Sequence, residues 1–257
     1  MTVCTSGLII DFVQKLREKG KEWYHFMANP LLKPYIKLTE FLGHALGPDY
    51  EVALHDLTDK NRSIIAISNR QVSGRQVGAP LTNVALKILM EESYLDSDYL
   101  LHYRGQAASG KTLRCSTLFI KQGNQLVGML CVNYDDSRHR AVSEEILRLC
   151  HPDSFVETNF QLDETQVTDM EPGDGAERFQ NSIDDVAMEA VTKELSRLNV
   201  SAEQLTADDR LQIIQSLEAA GIFLLKGAVN DVADALGCSK ASVYRYITQV
   251  KNEKKRE

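Results

Sequence analysis

The stretch TLRCSTLFIKQGNQLVGMLCVNYDD, residues 112–136, decides how the first half of this 257-residue chain folds. It contains two runs rich in Thr, Val, Cys and Phe, and Gly123-Asn124 separates them as the turn of a hairpin would. Side chains of the first run alternate between two faces, with Leu113, Cys115, Thr117 and Phe119 on one and Arg114, Ser116, Leu118 and Ile120 on the other. A period of two residues is typical of a β-strand, so the stretch predicts two antiparallel strands.

The residues leading into the hairpin offer a competing interpretation. GQAASGKT, residues 105–112, fits the spacing G-x-x-x-x-G-K-[ST] of a phosphate-binding loop. Such a loop needs a helix directly after its lysine, because the helix N-terminus lies under the phosphates. The sequence after Lys111 predicts a strand instead, so we interpret ASGK as the turn before that strand. A nucleotide-binding enzyme that uses residues 105–112 is kept as an alternative hypothesis.

Composition argues against several classes of protein. The five cysteines are scattered and form no CxxC pair, and no histidine cluster has metal-ligand spacing, so we predict neither disulfides nor a metal site. No apolar run approaches the roughly 20 residues of a membrane span. The N-terminus lacks the basic head of a signal peptide, and no haem or flavin motif is recognisable. The expectation is a cytoplasmic protein without cofactor or membrane contact.

The chain divides into four predicted segments: an N-terminal extension (1–28), a sensor-like domain (29–138), an acidic linker (139–180) and a C-terminal domain (181–257). The order helix, two strands, helix, three strands makes the second segment an α+β domain. Residues 150–180 have little periodicity, a Pro-Gly-Asp-Gly stretch and a high acid content, as is typical of a linker. Acidic residues outnumber basic ones by 18 to six over residues 139–220, whereas residues 221–257 hold seven basic and four acidic residues. Only the C-terminal end is therefore compatible with a polyanion.

The C-terminal domain begins with two predicted amphipathic helices. NSIDDVAMEAVTKELSRL (181–198) starts with Asn181 or Ser182 as the N-cap. TADDRLQIIQSLEAAG (206–221) starts with Thr206 as the N-cap and has Gly221 just past its end.

The next stretch, GAVNDVADALGCSKASVYRYITQV (227–250), predicts two short helices joined by a tight turn. The helices must cross steeply, and their close contact requires a small side chain, which Ala233 supplies. Gly237 takes the positive φ of the turn, and Val243 fills the angle between the helices. This spacing is that of a helix-turn-helix. A plain helical hairpin is the alternative for this stretch, and a protein-binding adaptor that uses the helices of residues 181–220 is the corresponding alternative for the function.

The exposed side chains of the second helix favour the DNA-binding interpretation. They are small, hydroxylic or cationic, with no acid among them: Ser239, Lys240, Ala241, Ser242, Tyr244, Arg245 and Thr248. In a major groove, Arg245 would reach the acceptor edge of a guanine, while Lys240, Tyr244 and Ser239 would hold phosphates. Because one recognition helix reads few base pairs, we expect a homodimer on double-stranded DNA.

Both halves of the chain resemble one known family. GIFLLKGAVNDVADALGCSKASVYRYI (221–247) is similar to the C-terminal helix-turn-helix of the YheO-like (DauR-like) bacterial transcriptional regulators. LHDLTDKNRSIIAISNRQVSGRQVGAPLT (54–82) and LRCSTLFIKQGNQLVGMLCVNYD (113–135) resemble their PAS-type N-terminal domain. The resemblance implies a PAS-like antiparallel-sheet sensor followed by an all-α helix-turn-helix domain, in a regulator and not an enzyme.

A PAS-like sheet curls round a cavity, so polar side chains that point inward are candidates for contact with a small-molecule effector. The candidates are His55, Asn69, Arg75, Cys115, Thr117 and Asn133. Each also has a structural interpretation, such as a core hydrogen bond for His55 or an apolar filler for Cys115. A thiol catalyst at Cys115 is a further alternative that no Cys/His/acid signature supports. The resemblance implies a small polar metabolite.

Overall fold

The protein is described here by a computed structural model that covers residues 29–151 and 176–254. The helices are α1 (Lys33–Leu46), α2 (Asn83–Glu91), α3 (Ser137–Cys150), α4 (Ile183–Leu198), α5 (Ala207–Ala219), α6 (Ala228–Ala235) and α7 (Lys240–Lys254). The strands are β1 (Tyr50–Asp56), β2 (Ile64–Ser68), β3 (Tyr99–Gln106), β4 (Thr112–Gln122), β5 (Gln125–Tyr134) and β6 (Glu177–Arg178). The predicted N-terminal extension, residues 1–28, lies outside the described residues.

The strands form one sheet in the order β2-β1-β5-β4-β3-β6. All neighbouring pairs are antiparallel except β3 and β6, which run parallel. The predicted hairpin is β4–β5, with Gly123 at φ 61° in its turn. The α+β class and the antiparallel sensor sheet are therefore confirmed.

The structure also decides between the two interpretations of residues 105–112. Gly105 lies within β3, and β4 begins at Thr112, where a phosphate-binding loop would need a helix. The Lys111 ammonium binds the Asp135 carboxylate at 2.7 Å. The segment is the turn between two strands, as predicted.

Different helices pack on the two faces of the sheet. Val52, Leu54 and Leu130 pack with Leu32 on the face that α1 covers. The opposite face joins the larger core, which includes α2 and the C-terminal helices. Alternation along β1 separates the two sets, because Glu51, Ala53 and His55 point away from α1.

The C-terminal helices pack as an all-α domain. Ser182 caps α4 by accepting from the Asp185 N–H at 3.1 Å, and Thr206 and Asp209 form a reciprocal capping box at the start of α5. Contacts join α4 to α6 and α5 to α7. Within the described part of the chain, no helix combines the length and the apolar character needed to cross a membrane.

Both ends of the predicted linker, 139–180, are structured. Its first residues belong to α3, and near its end β6 pairs with β3 while Phe179 is buried. A strand of two residues has no period, so only its pairing with the sheet edge reveals it. Helix α3 has no buried residue and carries its apolar side chains at the surface. The middle of the predicted linker lies outside the described residues.

The sensor and the C-terminal domain are joined by hydrogen bonds between residues far apart in sequence. The Asn61 side chain donates to the Lys226 carbonyl at 2.7 Å and accepts from the Lys226 N–H at 2.9 Å. The Asn181 side chain donates to the Gly74 carbonyl at 3.1 Å. These bonds and the shared core place the C-terminal helices directly against the sensor.

Candidate functional site

The predicted corner between two short helices lies between α6 and α7. Gly237 has a φ of 58°, in the left-handed region that glycine adopts at little cost. The Cys238 N–H donates to the Ala233 carbonyl at 3.0 Å and closes the turn. Ala233 is 1% exposed and Val243 is fully buried, so the small residue and the wedge both lie inside the helix crossing. The predicted helix-turn-helix geometry is confirmed.

The residues predicted to contact DNA lie at the start and on the outer face of α7. Ser239 accepts from the Ser242 N–H at 3.1 Å and so caps the helix. Val243, Ile247 and Val250 fix the opposite face in the core. The outer surface comprises the exposed residues Ser239, Lys240, Ala241, Tyr244, Arg245 and Thr248, with Ser242 partly buried beside them.

Two cations of α7 differ in their surroundings. The Arg245 guanidinium lies 5.4 Å from the centre of the Tyr246 ring, which supports it at the surface by a cation–π contact. The Lys251 ammonium instead lies 3.4 Å from the Glu218 carboxylate of α5. Arg245 is therefore available to a nucleic acid, while the charge of Lys251 is offset within the protein.

A second polar site lies on the sheet face opposite α1. We call it the sensor cluster, and its members are each at most 4% exposed: Glu51, His55, Arg75, Tyr103, Cys115, Thr117, Asn133 and Glu177. It includes five of the six residues predicted to contact an effector. Among the described residues, no group of His, Cys, Asp and Glu side chains could hold a metal ion.

Strand register explains how the sensor cluster assembles. Glu51 of β1 lies opposite Asn133 of β5, which lies opposite Cys115 of β4. Cys115 in turn lies opposite Tyr103 of β3. Residues directly opposite each other share a face of the sheet, with Cβ atoms roughly 5 Å apart. Four strands therefore bring these side chains into one row.

The Glu51 carboxylate is held at both oxygens. Ser73 Oγ donates to Glu51 Oε2 at 2.6 Å, and Asn133 Nδ2 donates to Glu51 Oε1 at 2.9 Å. Burial raises the pKa of Glu51, and these two hydrogen bonds limit the rise because they favour the charged form.

The Glu177 carboxylate enters the cluster from β6. Thr82 Oγ1 donates to Glu177 Oε1 at 2.6 Å, whereas Glu177 Oε2 has no hydrogen-bond partner in the described structure. Burial raises the pKa of Glu177, and the Thr82 bond and the Arg75 charge limit that rise. Asn133 Oδ1 is likewise buried without a partner among the described residues.

The Arg75 guanidinium supplies the positive charge of the sensor cluster. Its Nε donates to the Gln180 carbonyl at 3.2 Å, and its Nη2 donates to the Pro80 carbonyl. Burial lowers the pKa of Arg75, and the negative charges of Glu177 and Glu51 oppose this change. Arg75 therefore balances buried carboxylates and also holds the chain that leads into α4.

His55 is a neutral donor inside the cluster. Ser63 Oγ donates to the Ala79 carbonyl at 3.2 Å, so it accepts from His55 Nδ1, which lies 2.9 Å away. Burial and then the Arg75 charge hold the pKa of His55 well below its usual value. Both causes favour the neutral form of the ring.

The thiol of Cys115 in the sensor cluster and that of Cys131 next to it lie in surroundings that disfavour nucleophilic chemistry. Thr117 Oγ1 bonds the Tyr103 hydroxyl at 2.9 Å and donates to Cys131 Sγ at 3.2 Å. Burial raises the pKa of Cys131 to about 12 and that of Cys115 well above its usual value. A thiol nucleophile needs a lowered pKa, so this environment disfavours the thiol-catalyst hypothesis.

Asn69, the remaining effector candidate, lies apart from the sensor cluster. It has a φ of 56°, and its side-chain amide donates to the carbonyls of Gly43, Gly47 and Tyr50 at 2.8 to 2.9 Å. These bonds fix the turn between α1 and β1, which is the structural role that a strand-end asparagine commonly has.

Three members of the cluster were not among the sequence candidates. Glu51 shares the strand period of His55, so the alternation in β1 was a signal that could have found it. Tyr103 lies in a strand, where a tyrosine is also typical of an ordinary core position, so its residue type did not single it out. Glu177 lies in the predicted linker, and no local pattern marks it, because β6 forms only through its pairing with β3.

A PAS-like sheet domain followed by a helix-turn-helix domain defines a class of DNA-binding regulators. Comparison with known families agrees in both halves: the YheO-like PAS domain matches residues 27–151, and an HTH domain matches residues 185–248. This chain belongs to the YheO-like family.

Individual relatives extend the match across both domains. YheO of Escherichia coli strain K12, described as uncharacterized, is 30% identical over 224 residues, which cover 86% of this chain and 85% of YheO. The transcriptional regulator DauR of Pseudomonas aeruginosa is 23% identical over 227 residues, which cover 87% of this chain and 96% of DauR.

Proposed function

We propose that this protein is a cytoplasmic, homodimeric transcriptional regulator in which a small polar metabolite at the sensor cluster changes DNA binding by α7. The observation that carries the proposal is the exposed surface at the start of α7, where residues 239–248 follow the corner at Gly237 and include no acidic side chain. Duplex DNA repels carboxylates and attracts cations and hydroxyl donors, so this face suits a major groove. The name of the relative DauR as a transcriptional regulator supports the same function.

Contacts between the domains support the regulatory part of the proposal. Arg75, a member of the sensor cluster, donates to Gln180, three residues before α4 begins. Asn61 of the sensor holds the backbone of Lys226 just before α6. A change in the sensor cluster therefore acts on elements that position the helix-turn-helix.

Helix α3 supports a homodimer. Val142, Ile146 and Leu149 form an apolar stripe at helical spacing and are 60%, 57% and 85% exposed. Two copies of a recognition helix that bind paired half-sites contact more base pairs, and bind more tightly, than one copy does. We propose that the stripe packs against the same stripe of a second copy, since a two-fold interface is self-complementary.

Substitution Ile146→Glu is expected to shift the protein from dimer to monomer, because it places a charge in the apolar stripe. Sedimentation velocity at several concentrations measures the shift. Ala141→Glu is the matched control, because it adds the same side chain to an exposed position of α3 outside the stripe. Equal behaviour of the two variants, or a monomeric wild type, would contradict this interface.

The proposed function is tested by selecting duplexes from a random pool with the full-length protein. We expect enrichment of an inverted repeat whose half-sites lie about one helical turn apart, and binding that weakens as salt increases. A pool without enriched sequence, bound weakly and without salt dependence, would contradict DNA recognition. That result would leave the adaptor hypothesis for the helices of residues 181–220.

A further inference from the structure

The Tyr103 hydroxyl and the Cys115 thiol lie close enough to the Glu177 carboxylate to favour its charged form, but two acceptor atoms of the sensor cluster form no hydrogen bond in the described part of the protein. They are Glu177 Oε2 and Asn133 Oδ1, on side chains whose residues are 4% and 2% exposed. Buried polar atoms in native proteins nearly always have a hydrogen-bond partner. Two such atoms in one cluster therefore point to a donor that arrives with a ligand.

The two acceptors border the same thiol. Asn133 lies directly opposite Cys115 in the β4–β5 pair. Glu177 lies beside Gly105 of β3, and a Cβ on Gly105 would be only 2.5 Å from the Cys115 sulfur. The absence of a side chain at Gly105 thus brings β6, β3 and the thiol together. Both acceptors therefore belong to residues packed around Cys115, where the Phe179 ring also lies against Gly105.

The charges of the sensor cluster favour a cationic group. Arg75 contributes one positive charge against the two carboxylates of Glu51 and Glu177, while His55 is neutral. With both carboxylates ionised, one buried negative charge has no counterpart in the cluster. Buried charges persist only when they are paired, so the cluster must either take up a proton or receive a cation.

We propose that the sensor cluster binds a small metabolite through a protonated amine, whose N–H groups donate to Glu177 Oε2 and Asn133 Oδ1. The inference deepens the proposed function and rests on it. An ammonium group has three donors and no acceptor, so it matches two acceptors and one excess negative charge. A neutral hydroxyl offers one donor and no charge, and a carboxylate is repelled by Glu177.

The position of Glu177 connects such a ligand to DNA binding. Strand β6 has two residues, which pair with Gly105 and Gln106 of β3. On its other side, Asn83 of α2 donates to the Ala176 carbonyl at 3.2 Å and accepts from the Arg178 N–H at 2.8 Å. An amine held by Glu177 stabilises β6 in the sheet, and β6 leads within a few residues into α4.

The test uses full-length protein and a panel of named probes. The probes are the proteinogenic amino acids, putrescine and cadaverine, each compared with an analogue of similar shape that lacks the amine. We expect at least one amine to raise the thermal midpoint by about 5–10 °C when its concentration is about 100-fold above Kd. Its amine-free analogue should leave the midpoint unchanged.

Substitution Glu177→Gln removes the charge and keeps the shape of the side chain. We expect it to weaken binding of the responsive amine by at least about 10-fold, measured by titration calorimetry, because a charged hydrogen bond is lost. Glu203→Gln makes the same change at an exposed position of the C-terminal domain, away from β6, and should bind as wild type does. Equal affinity in both variants, equal response to the amine-free analogue, or no response to any amine would overturn the inference.

A measurement on the wild type covers the case in which Glu177→Gln does not fold. The titratable groups around Glu177 are Arg75, Tyr103, Cys115, Cys131 and Glu51. Burial raises the pKa of both carboxylates, raises those of Tyr103, Cys115 and Cys131 further from neutrality and lowers that of His55, so affinity for the amine should rise with pH as the carboxylates ionise. A flat or falling affinity would overturn the inference.

DNA binding without probes separates this inference from the proposed function. A wild type that selects an operator and responds to no amine retains the proposed function and loses the amine site. A wild type that selects no DNA loses the proposed function, whatever it binds at Glu177.

Discussion

Replacement of Arg75 by methionine is expected to lower the free energy of unfolding at neutral pH by about 3–5 kcal/mol. Methionine keeps much of the length of the side chain but removes the positive charge that faces Glu51 and Glu177. It also removes the donors to the Gln180 and Pro80 carbonyls, which then lie buried without those bonds. Urea denaturation followed by circular dichroism measures the change.

The destabilisation by Arg75→Met is also expected to shrink as the pH is lowered. Burial raises the folded-state pKa of Glu51 and of Glu177 above the usual 4.5, and the Arg75 charge limits both rises. A carboxyl with a raised folded pKa binds more protons folded than unfolded, so its stabilising contribution is complete below about pH 4.5 and is lost as pH rises through the folded pKa. Without Arg75 the two pKa values rise further, and the loss at neutral pH is larger.

His55 also makes the stability of both proteins depend on pH. It does not reverse the expectation that the difference in stability between Arg75→Met and the wild type shrinks at low pH. Its pKa is held below the usual value by burial and then by Arg75, so in the wild type stability falls as pH drops below about 6.5. Removal of Arg75 takes away part of the cause that lowers the His55 pKa. The variant therefore loses less stability than the wild type as His55 becomes protonated, and the difference in free energy of unfolding between the two proteins is smaller at low pH. Denaturation of both proteins at about pH 5 and pH 7.5 measures the gap.

Arg70→Met is the control for Arg75→Met, because Arg70 lies exposed in the same loop. It should change stability by about 0.5 kcal/mol or less at either pH. A similar loss in both variants, or a deficit of Arg75→Met that grows towards low pH, would show that Arg75 does not balance the buried carboxylates.

The helices and the turn of the C-terminal domain could be predicted from the sequence because the residues that set their geometry are close together in the chain. Ala233, Gly237 and Val243 lie within eleven residues, and a steep crossing has few other solutions. The caps of α4 and α5 are likewise local: Ser182 and Thr206 bond to backbone groups three residues away. Signals of this kind need no information about the rest of the fold.

Only some members of the sensor cluster could be predicted from the sequence, because the cluster forms through pairing of strands that are distant in the chain. Period-two alternation placed Cys115 and Thr117 on one face, His55 and Asn133 were predicted to point inward as polar strand residues of a PAS-like sheet, and the structure buries all four together. Glu177 follows a long acidic segment and reaches the cluster through a parallel pairing with β3 that no local pattern predicts. The sequence therefore predicted the face of the sheet but not the carboxylate that completes the site.

Substitution Arg245→Ala is expected to weaken binding to the selected operator by about 10- to 100-fold, while affinity for unrelated duplexes falls much less. The Arg245 side chain is exposed on the outer face of α7 and is supported by the Tyr246 ring. A guanidinium in a major groove donates two parallel hydrogen bonds to O6 and N7 of guanine, which no other base pair reproduces. The alanine variant should therefore lose selectivity at one position of each half-site and keep it elsewhere.

The comparison that decides the role of Arg245 is with Lys240→Ala. Lys240 is exposed in the first turn of α7, where an ammonium is placed to meet a phosphate. Its removal should weaken binding to every sequence by a similar factor and reduce the slope of log affinity against log salt by about one. Selection from a random pool with each variant, and fluorescence anisotropy at several salt concentrations, separate these outcomes. If Arg245→Ala instead behaves as Lys240→Ala does, Arg245 is a phosphate contact, and base readout by α7 must come from Ser239, Ser242 or Tyr244.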